Sequence, residues 1–222
     1  MSLNQLLQQT LEESNARFPP QAREIIDAAQ DEMRQLGLEN TARGVGDYLP
    51  NATLMDATGG DVSLSSLNEN GPLIVTFYRG GWCPYCNLEL RAYQDQLSQI
   101  KALGGSLVAI TPEKSDNSLS TIEKNALAFP VLTDEGNAFA KAMGIAFELP
   151  LGLQELFSRF GMNLPDLNID TGWALPVPAT FVVDSTDRIV LAEIDVDYTR
   201  RLEPTEAIEA LRSCIHITPT TP

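Results

Sequence analysis

Leu3, Leu6, Leu7 and Leu11 recur at helical spacing, which predicts a helix over residues 2–18. Pro19 and Pro20 interrupt it and open a second helix running to about Gly37, with Ile25, Ile26, Ala29, Met33 and Leu36 as its apolar stripe. Residues 1–44 therefore read as a helical hairpin, placed to cover the main domain or to serve as the interface of a homodimer. From Leu49 the period changes. Ala52 to Met55 and Val62 to Leu64 flank Thr58-Gly59-Gly60-Asp61, a pattern for two strands joined by a glycine turn. Leu73 to Tyr78 is an apolar run ending at Gly80-Gly81, as expected of a buried central strand. A helix follows over 84–103, with Leu88, Tyr93, Leu97, Ile100 and Leu103 on or near one face and Gly104-Gly105 as its stop.

The alternation continues. Strands are expected at Leu107 to Ile110 and Phe129 to Leu132, and helices at Ser115 to Leu127 and Asn137 to Met143. Phe181 to Val183 and Ile189 to Ile194 read as a closing hairpin, and a last helix runs from about Pro204 to Cys214. Strands alternating with helices imply an α/β sheet with helices on its faces. Residues 145–176 break the rhythm and read as an insertion; a segment that long is usually functional or an interface. The domain organisation expected is an extension over 1–44, a main domain over 45–215 carrying that insertion, and a disordered tail over 216–222.

Composition narrows the function classes. The chain has 222 residues, 43% of them hydrophobic and 20% charged, enough for a full core without disulfides or metal. A formal net charge of −15 opposes binding to nucleic-acid phosphates and to anionic membranes. No stretch approaches the ~20 apolar residues of a membrane span, and the first residues do not resemble a secretory signal. A cytoplasmic protein is expected. There are three cysteines, two of them three residues apart. In a reducing compartment such a pair is more often catalytic or metal-binding than a structural staple.

The pair lies in Phe77-Tyr78-Arg79-Gly80-Gly81-Trp82-Cys83-Pro84-Tyr85-Cys86, between a buried strand and the start of a helix. A thiolate there faces unpaired backbone N–H groups and the positive end of the helix dipole, so its pKa falls. A second cysteine one turn later can close a small disulfide ring. Pro84 suits an early helical position, where its missing N–H costs nothing, and Arg79 adds positive charge. A zinc site would need two more ligands, and Cys214 and the single His216 are what remain. Two inert buried cysteines are the other plain alternative. Cys214 reads as a resolving thiol or an incidental one. Trp173 lies either over the site or in the core, and His216 belongs to the tail.

Several segments resemble known families. Cys83-Pro84-Tyr85-Cys86 is similar to the glutaredoxin active site, and Trp82 before it is thioredoxin-like. The wider frame resembles the peroxiredoxins, the alkyl hydroperoxide reductase and thiol-specific antioxidant family. The resemblance runs through Asn51–Leu67, Phe77-Tyr78, Cys86-Asn87-Leu88-Glu89, Phe129–Asp134, Ala140–Gly144 and Pro178–Asp184, in that order. It implies a thioredoxin-like fold, with a central mixed β-sheet flanked by helices and an N-terminal β-hairpin. It also implies a thiol enzyme acting on hydroperoxides or disulfides through Cys83 and Cys86, recharged by thioredoxin or a similar thiol. No metal, flavin or nicotinamide cofactor is implied. Arg79, Trp82, Pro84, Tyr85, Val177 and Pro178 are the expected supporting residues, with Val177–Pro178 resembling the cis-proline element of thioredoxin-like folds.

The chain departs from the family in two respects. In an ungapped alignment Cys86 takes the position of the peroxide-reacting cysteine. The family's Thr then falls on Cys83, its Pro on Arg79, and its later peroxide-binding Arg near Pro178, so that Thr and that Arg are expected to be missing. Thioredoxin logic makes Cys83 the exposed nucleophile, and peroxiredoxin logic makes it Cys86. Cys83 is preferred here because it stands at the helix mouth. Two other readings stay open: a dithiol–disulfide oxidoreductase with little peroxidase activity, and a non-catalytic redox-sensing interaction module.

Overall fold

The apolar run at residues 73–78 forms the middle of the sheet. In the computed structural model, which describes residues 1–69 and 71–215, the strands are β1 (Thr53–Asp56), β2 (Asp61–Ser63), β3 (Leu73–Phe77), β4 (Ser106–Thr111), β5 (Val131–Thr133), β6 (Ala146–Glu148), β7 (Ala174–Pro176), β8 (Ala179–Val183) and β9 (Ile189–Ile194). The helices are α1 (Leu3–Arg17), α2 (Pro20–Gln35), α3 (Leu38–Thr41), α4 (Leu64–Asn68), α5 (Pro84–Ala102), α6 (Ser115–Asn125), α7 (Ala138–Met143), α8 (Leu151–Arg159), α9 (Leu164–Leu167) and α10 (Pro204–Ile215). The main sheet has the order β2-β1-β5-β4-β3-β8-β9. Pairing is parallel for β3–β4 and β4–β5 and antiparallel for β3–β8, β8–β9, β1–β5 and β1–β2. It is therefore a mixed sheet with helices on its faces, as expected.

Successive residues of a strand face opposite sides, and β3 feeds two cores. Leu73, Val75 and Phe77 enter one, with α2, α7, α8 and the segment around β6 and β7. Ile74 and, two positions beyond Thr76 on the same side, Tyr78 enter the other with α1, α5 and α10. All five side chains are fully buried, which explains why the run shows no polar alternation.

Two expectations change. The first two helices do not form a hairpin. Leu3 and Leu7 of α1 pack in the α5 core, whereas Ala22, Ala29 and Met33 of α2 pack in the other core, against α8. The extension therefore crosses from one face of the sheet to the other. The second change is in residues 145–176, read as an insertion, which carry more regular structure than their broken rhythm indicates. They make a two-stranded antiparallel sheet, β6–β7, around α8 and α9. The tail from His216 onward lies outside the described residues, and so does the disorder expected of it. Among the described residues, no helix is long and apolar enough to cross a membrane.

Candidate redox site

The turn from β3 into α5 has little room. Gly80 has φ +149°, and a Cβ there would sit 2.3 Å from Trp82 Nε1 and 2.9 Å from Glu113 Cδ. A Cβ on Gly81 would meet Thr121 Oγ1 at 2.0 Å. Two glycines let the chain pass and set Cys83 as the residue capping α5, with Pro84 at the first helical position. Asn87 secures the turn by donating to the carbonyls of Gly81 (2.7 Å) and Cys83 (2.8 Å), and Asn125 donates to Asn87 in turn (2.8 Å).

Cys83 and Cys86 are both reduced and fully buried. Cys83 is not the exposed member of the pair, because side chains cover it. Arg79 Nη2 donates to its sulfur at 3.2 Å. The Arg79 guanidinium is stacked 4.1 Å from the Tyr198 ring and 5.1 Å from the Trp82 ring. Its Nε is buried and has no partner. Tyr85 packs edge-on to Tyr198 at 5.5 Å, and Trp82 edge-on to Phe157 at 5.8 Å.

A second arginine was not foreseen. Arg201, from the loop after β9, donates from Nη2 to Cys86 Sγ at 3.5 Å and from Nε to Glu89 at 2.6 Å. Both members of this ion pair are buried, with side chains 2% and 1% exposed. A carboxylate so enclosed needs a cation, so Glu89 in the first turns of α5 was the available clue to an arginine elsewhere in the chain. The sequence reading expects no arginine near Pro178, and the guanidinium beside Cys86 comes from elsewhere in the chain. Pro178 itself is buried beside Glu89 and Arg201, but its peptide bond is trans, as no cis bonds occur among the described residues. The cis-proline expectation fails. Val177 is buried in the α2–α8 core, its N–H bonded to Ile145 O.

The electrostatics divide the two thiols. Burial opposes ionisation of Cys83, yet the hydrogen bond from Cys86 and the charges of Arg79 and Arg201 overcome it and hold Cys83 well below the usual thiol range. For Cys86, burial and the hydrogen bond and charge of Cys83 outweigh both arginines and push it well above that range. The pair therefore loses one proton readily and holds the other. A further buried group, Glu113, accepts the Gly81 N–H at 2.7 Å; burial pushes its carboxyl up to about 7.

Residues flanking the pair line an apolar cavity of about 170 Å³, which neither cysteine itself lines. Arg79, Trp82, Pro84, Tyr85 and Tyr198 line one side of it, and Ser14, Phe18, Ile26, Leu153, Phe157 and Met162 the other. Trp173 packs on the α2–α8 core and is not among the residues lining it. Cys214 sits half-buried near the end of α10, its thiol bonded to Ala210 O.

A mixed sheet with a Cys-Pro-Tyr-Cys turn capping the helix after its central strand defines a thioredoxin-like thiol protein. The AhpC/TSA family model matches residues 45–192, two thirds of the chain, so the protein belongs to that family. Among curated relatives, the chain is 33% identical over 104 residues to chloroplastic peroxiredoxin Q of Sedum lineare, covering 47% of this chain and 55% of that protein. It is 27% identical over 154 residues to a putative peroxiredoxin of Mycobacterium tuberculosis, covering 69% of this chain and 87% of that one. The chain thus spans just over half the length of the Sedum protein. The crystal structure of peroxidoxin BcpB from Mycobacterium tuberculosis superposes with a TM-score of 0.60 at 21% identity, covering 77% of this chain and 97% of that one. A mutant of PrxQ from Xylella fastidiosa gives 0.57 at 20% identity, covering 76% and 93%. Both likenesses bear on the fold.

Proposed function

We propose that the protein is a thiol peroxidase that cycles its Cys83–Cys86 pair between dithiol and disulfide. The observation that carries this reading is the division of the two thiols, with Arg79 Nη2 3.2 Å from a Cys83 sulfur at the helix mouth. The Cys83 thiolate attacks one oxygen of a hydroperoxide. The O–O bond breaks, the leaving alkoxide takes a proton, and Cys83 becomes a sulfenic acid. Arg79 Nε, buried and unpartnered, is a donor free to hold a peroxide oxygen. The Cys86 sulfur then displaces hydroxide from the sulfenic sulfur, its proton leaves with that hydroxide as water, and the Cys83–Cys86 bond forms. A dithiol such as thioredoxin restores the pair by exchange and is itself oxidised to a disulfide.

The reverse order has an observation of its own. Arg201 Nη2 lies 3.5 Å from Cys86, as a family-like attack by Cys86 would need. Serine variants separate the two orders. One equivalent of peroxide added to Cys86→Ser is expected to leave a sulfenic acid on Cys83, trapped by a dione and located by mass spectrometry, while Cys83→Ser stays unmodified. Trapping confined to Cys83→Ser would reverse the assignment. No oxidation in either variant, or in the parent protein, would remove the peroxidase reading altogether.

A further inference from the structure

Glu113 is buried beside the Cys83 turn, and among the described residues it forms no ion pair, whereas Glu89 has Arg201. Its Oε2 accepts the Gly81 N–H at 2.7 Å, two residues before Cys83. Its backbone is held on two sides. The carbonyl accepts from Thr133 Oγ1 at 3.0 Å, and the residue pairs across an antiparallel bridge with Asn168. Residues directly opposite in such a bridge carry their side chains side by side, which sets the Asn168 amide next to the carboxyl. Trp82 Nε1 comes in from the turn, since a Cβ on Gly80 would lie 2.3 Å from that nitrogen and 2.9 Å from Glu113 Cδ. Trp82 Nε1 and both polar atoms of the Asn168 side chain are buried and have no hydrogen-bond partner. The cluster thus holds spare donors suited to a carboxylate and a spare acceptor, Asn168 Oδ1, suited to a carboxylic acid.

The titratable groups facing Glu113 are Cys83 on the turn and Tyr78 beyond the end of β3. Burial keeps the Tyr78 phenol neutral. Helix α6 brings the uncharged Thr121 against Gly81, and Lys114 turns its Nζ away to Asp166 O at 2.7 Å. Cys83 is therefore the charge near Glu113 that changes with redox state. It is an anion in the reduced pair and neutral in the disulfide. In a sealed site each of two like charges favours a proton on the other.

We propose that Glu113 is a positioning residue that stores a proton for the redox pair, taking it up when the disulfide is reduced and giving it up when the thiolate is consumed. This role rests on the dithiol–disulfide cycle proposed above and closes its proton balance. A dithiol reductant brings two electrons and two hydrogens, and is oxidised to its own disulfide. Reduction leaves a thiolate on Cys83 and a thiol on Cys86, so one proton goes to Cys86 and the second to the Glu113 carboxylate. When the thiolate attacks a hydroperoxide, the O–O bond breaks, the sulfur is oxidised to a sulfenic acid and the alkoxide needs one proton. The same step removes the negative charge that held a proton on Glu113, and the carboxyl releases it. Disulfide formation then sheds water and leaves Glu113 ionised for the next reduction.

The test is carbon-13 NMR of full-length protein labelled at its glutamate side-chain carboxyls, with the Glu113 signal assigned by its loss in Glu113→Gln. The titration midpoint is compared in the reduced protein, in the disulfide form and in Cys83→Ser, which has no thiolate at that position. The midpoint is expected to lie at least about one pH unit higher in the reduced protein than in the other two. By reciprocity, raising pH across that window should move the equilibrium with a reference dithiol about tenfold further toward the disulfide in the parent than in Glu113→Gln. A Glu113 that merely braces the turn through Gly81 would change that equilibrium by one factor at every pH. Equal midpoints in the reduced protein and Cys83→Ser would overturn the inference, and the disulfide form supplies the same comparison if the serine variant does not fold. Failure of peroxide to oxidise Cys83 would strike the peroxidase reading alone, because the midpoints are read without peroxide.

Discussion

Two arginines stand beside two sulfurs, and each guanidinium is aimed differently. Arg79 is packed between aromatic rings, an arrangement suited to a delocalised, weakly hydrated cation, and it points at Cys83. Arg201 divides its donors between Glu89 and Cys86, so part of its charge is already balanced by a carboxylate. The net positive field therefore favours a thiolate on Cys83. Because the folded protein holds the Cys83 thiol below its ordinary range, peroxide reactivity should persist at neutral pH and fall only as pH drops through that lowered value. Arg79→Ala is expected to return the thiol toward its ordinary ~8.5 and to slow peroxide oxidation at neutral pH about tenfold or more. Thiolate ultraviolet absorbance and alkylation rate, each followed against pH, measure the shift. A profile identical to the parent's would mean that Arg79 does not set the acidity.

The turn between β3 and α5 is where element geometry becomes chemistry. A strand buried on both faces delivers the chain to a helix start, and the two glycines between them let Trp82 and Glu113 close in on the backbone. Gly80→Ala would place a methyl against the Trp82 nitrogen and the Glu113 carboxyl carbon, at 2.3 and 2.9 Å, where Glu113 is buried and Trp82 is packed edge-on to Phe157. A loss of ~1–3 kcal/mol in denaturant unfolding is expected from such overpacking, together with a changed rate of Cys83 alkylation. Unaltered stability and alkylation would show that the turn relaxes without consequence. The Asn87–Asn125 bonds tie the same turn to α6, so displacement there passes into the neighbouring helix.

At the scale of the molecule, burial of Glu113 couples stability to pH. Its carboxyl is 2% exposed as a residue and holds its proton up to about 7, against an ordinary value of 4.5. The folded state therefore binds more protons than the unfolded state between those two values. Stability must fall as pH rises through that window and level off above it, by on the order of 3 kcal/mol from this group. Glu113→Gln keeps an acceptor for the Gly81 N–H and removes the titration. Its unfolding free energy should lose that slope and exceed the parent's at mildly alkaline pH, as checked by urea unfolding across the window. A slope equal to the parent's would assign the pH dependence to other groups.

The periodicity of the chain was enough to place most of the sheet and helices, because a strand buried on both faces and an amphipathic helix leave signatures in neighbouring residues. The Cys83-Pro84-Tyr85-Cys86 turn was legible for the same reason: its chemistry depends on residues adjacent in sequence and on where a helix begins. Arg201 was not legible, since 115 positions separate it from Cys86 and nothing in a linear pattern says that Glu89 will find its partner there. The same holds for the parting of α1 and α2 onto opposite faces, which follows from which core each apolar stripe can enter. The trans bond before Pro178 and the complete burial of both sulfurs likewise depend on how distant segments pack. Local order follows from hydrogen bonding and hydrophobic spacing within a few residues, whereas the cover over a thiol and the charge beside it depend on how the whole chain closes.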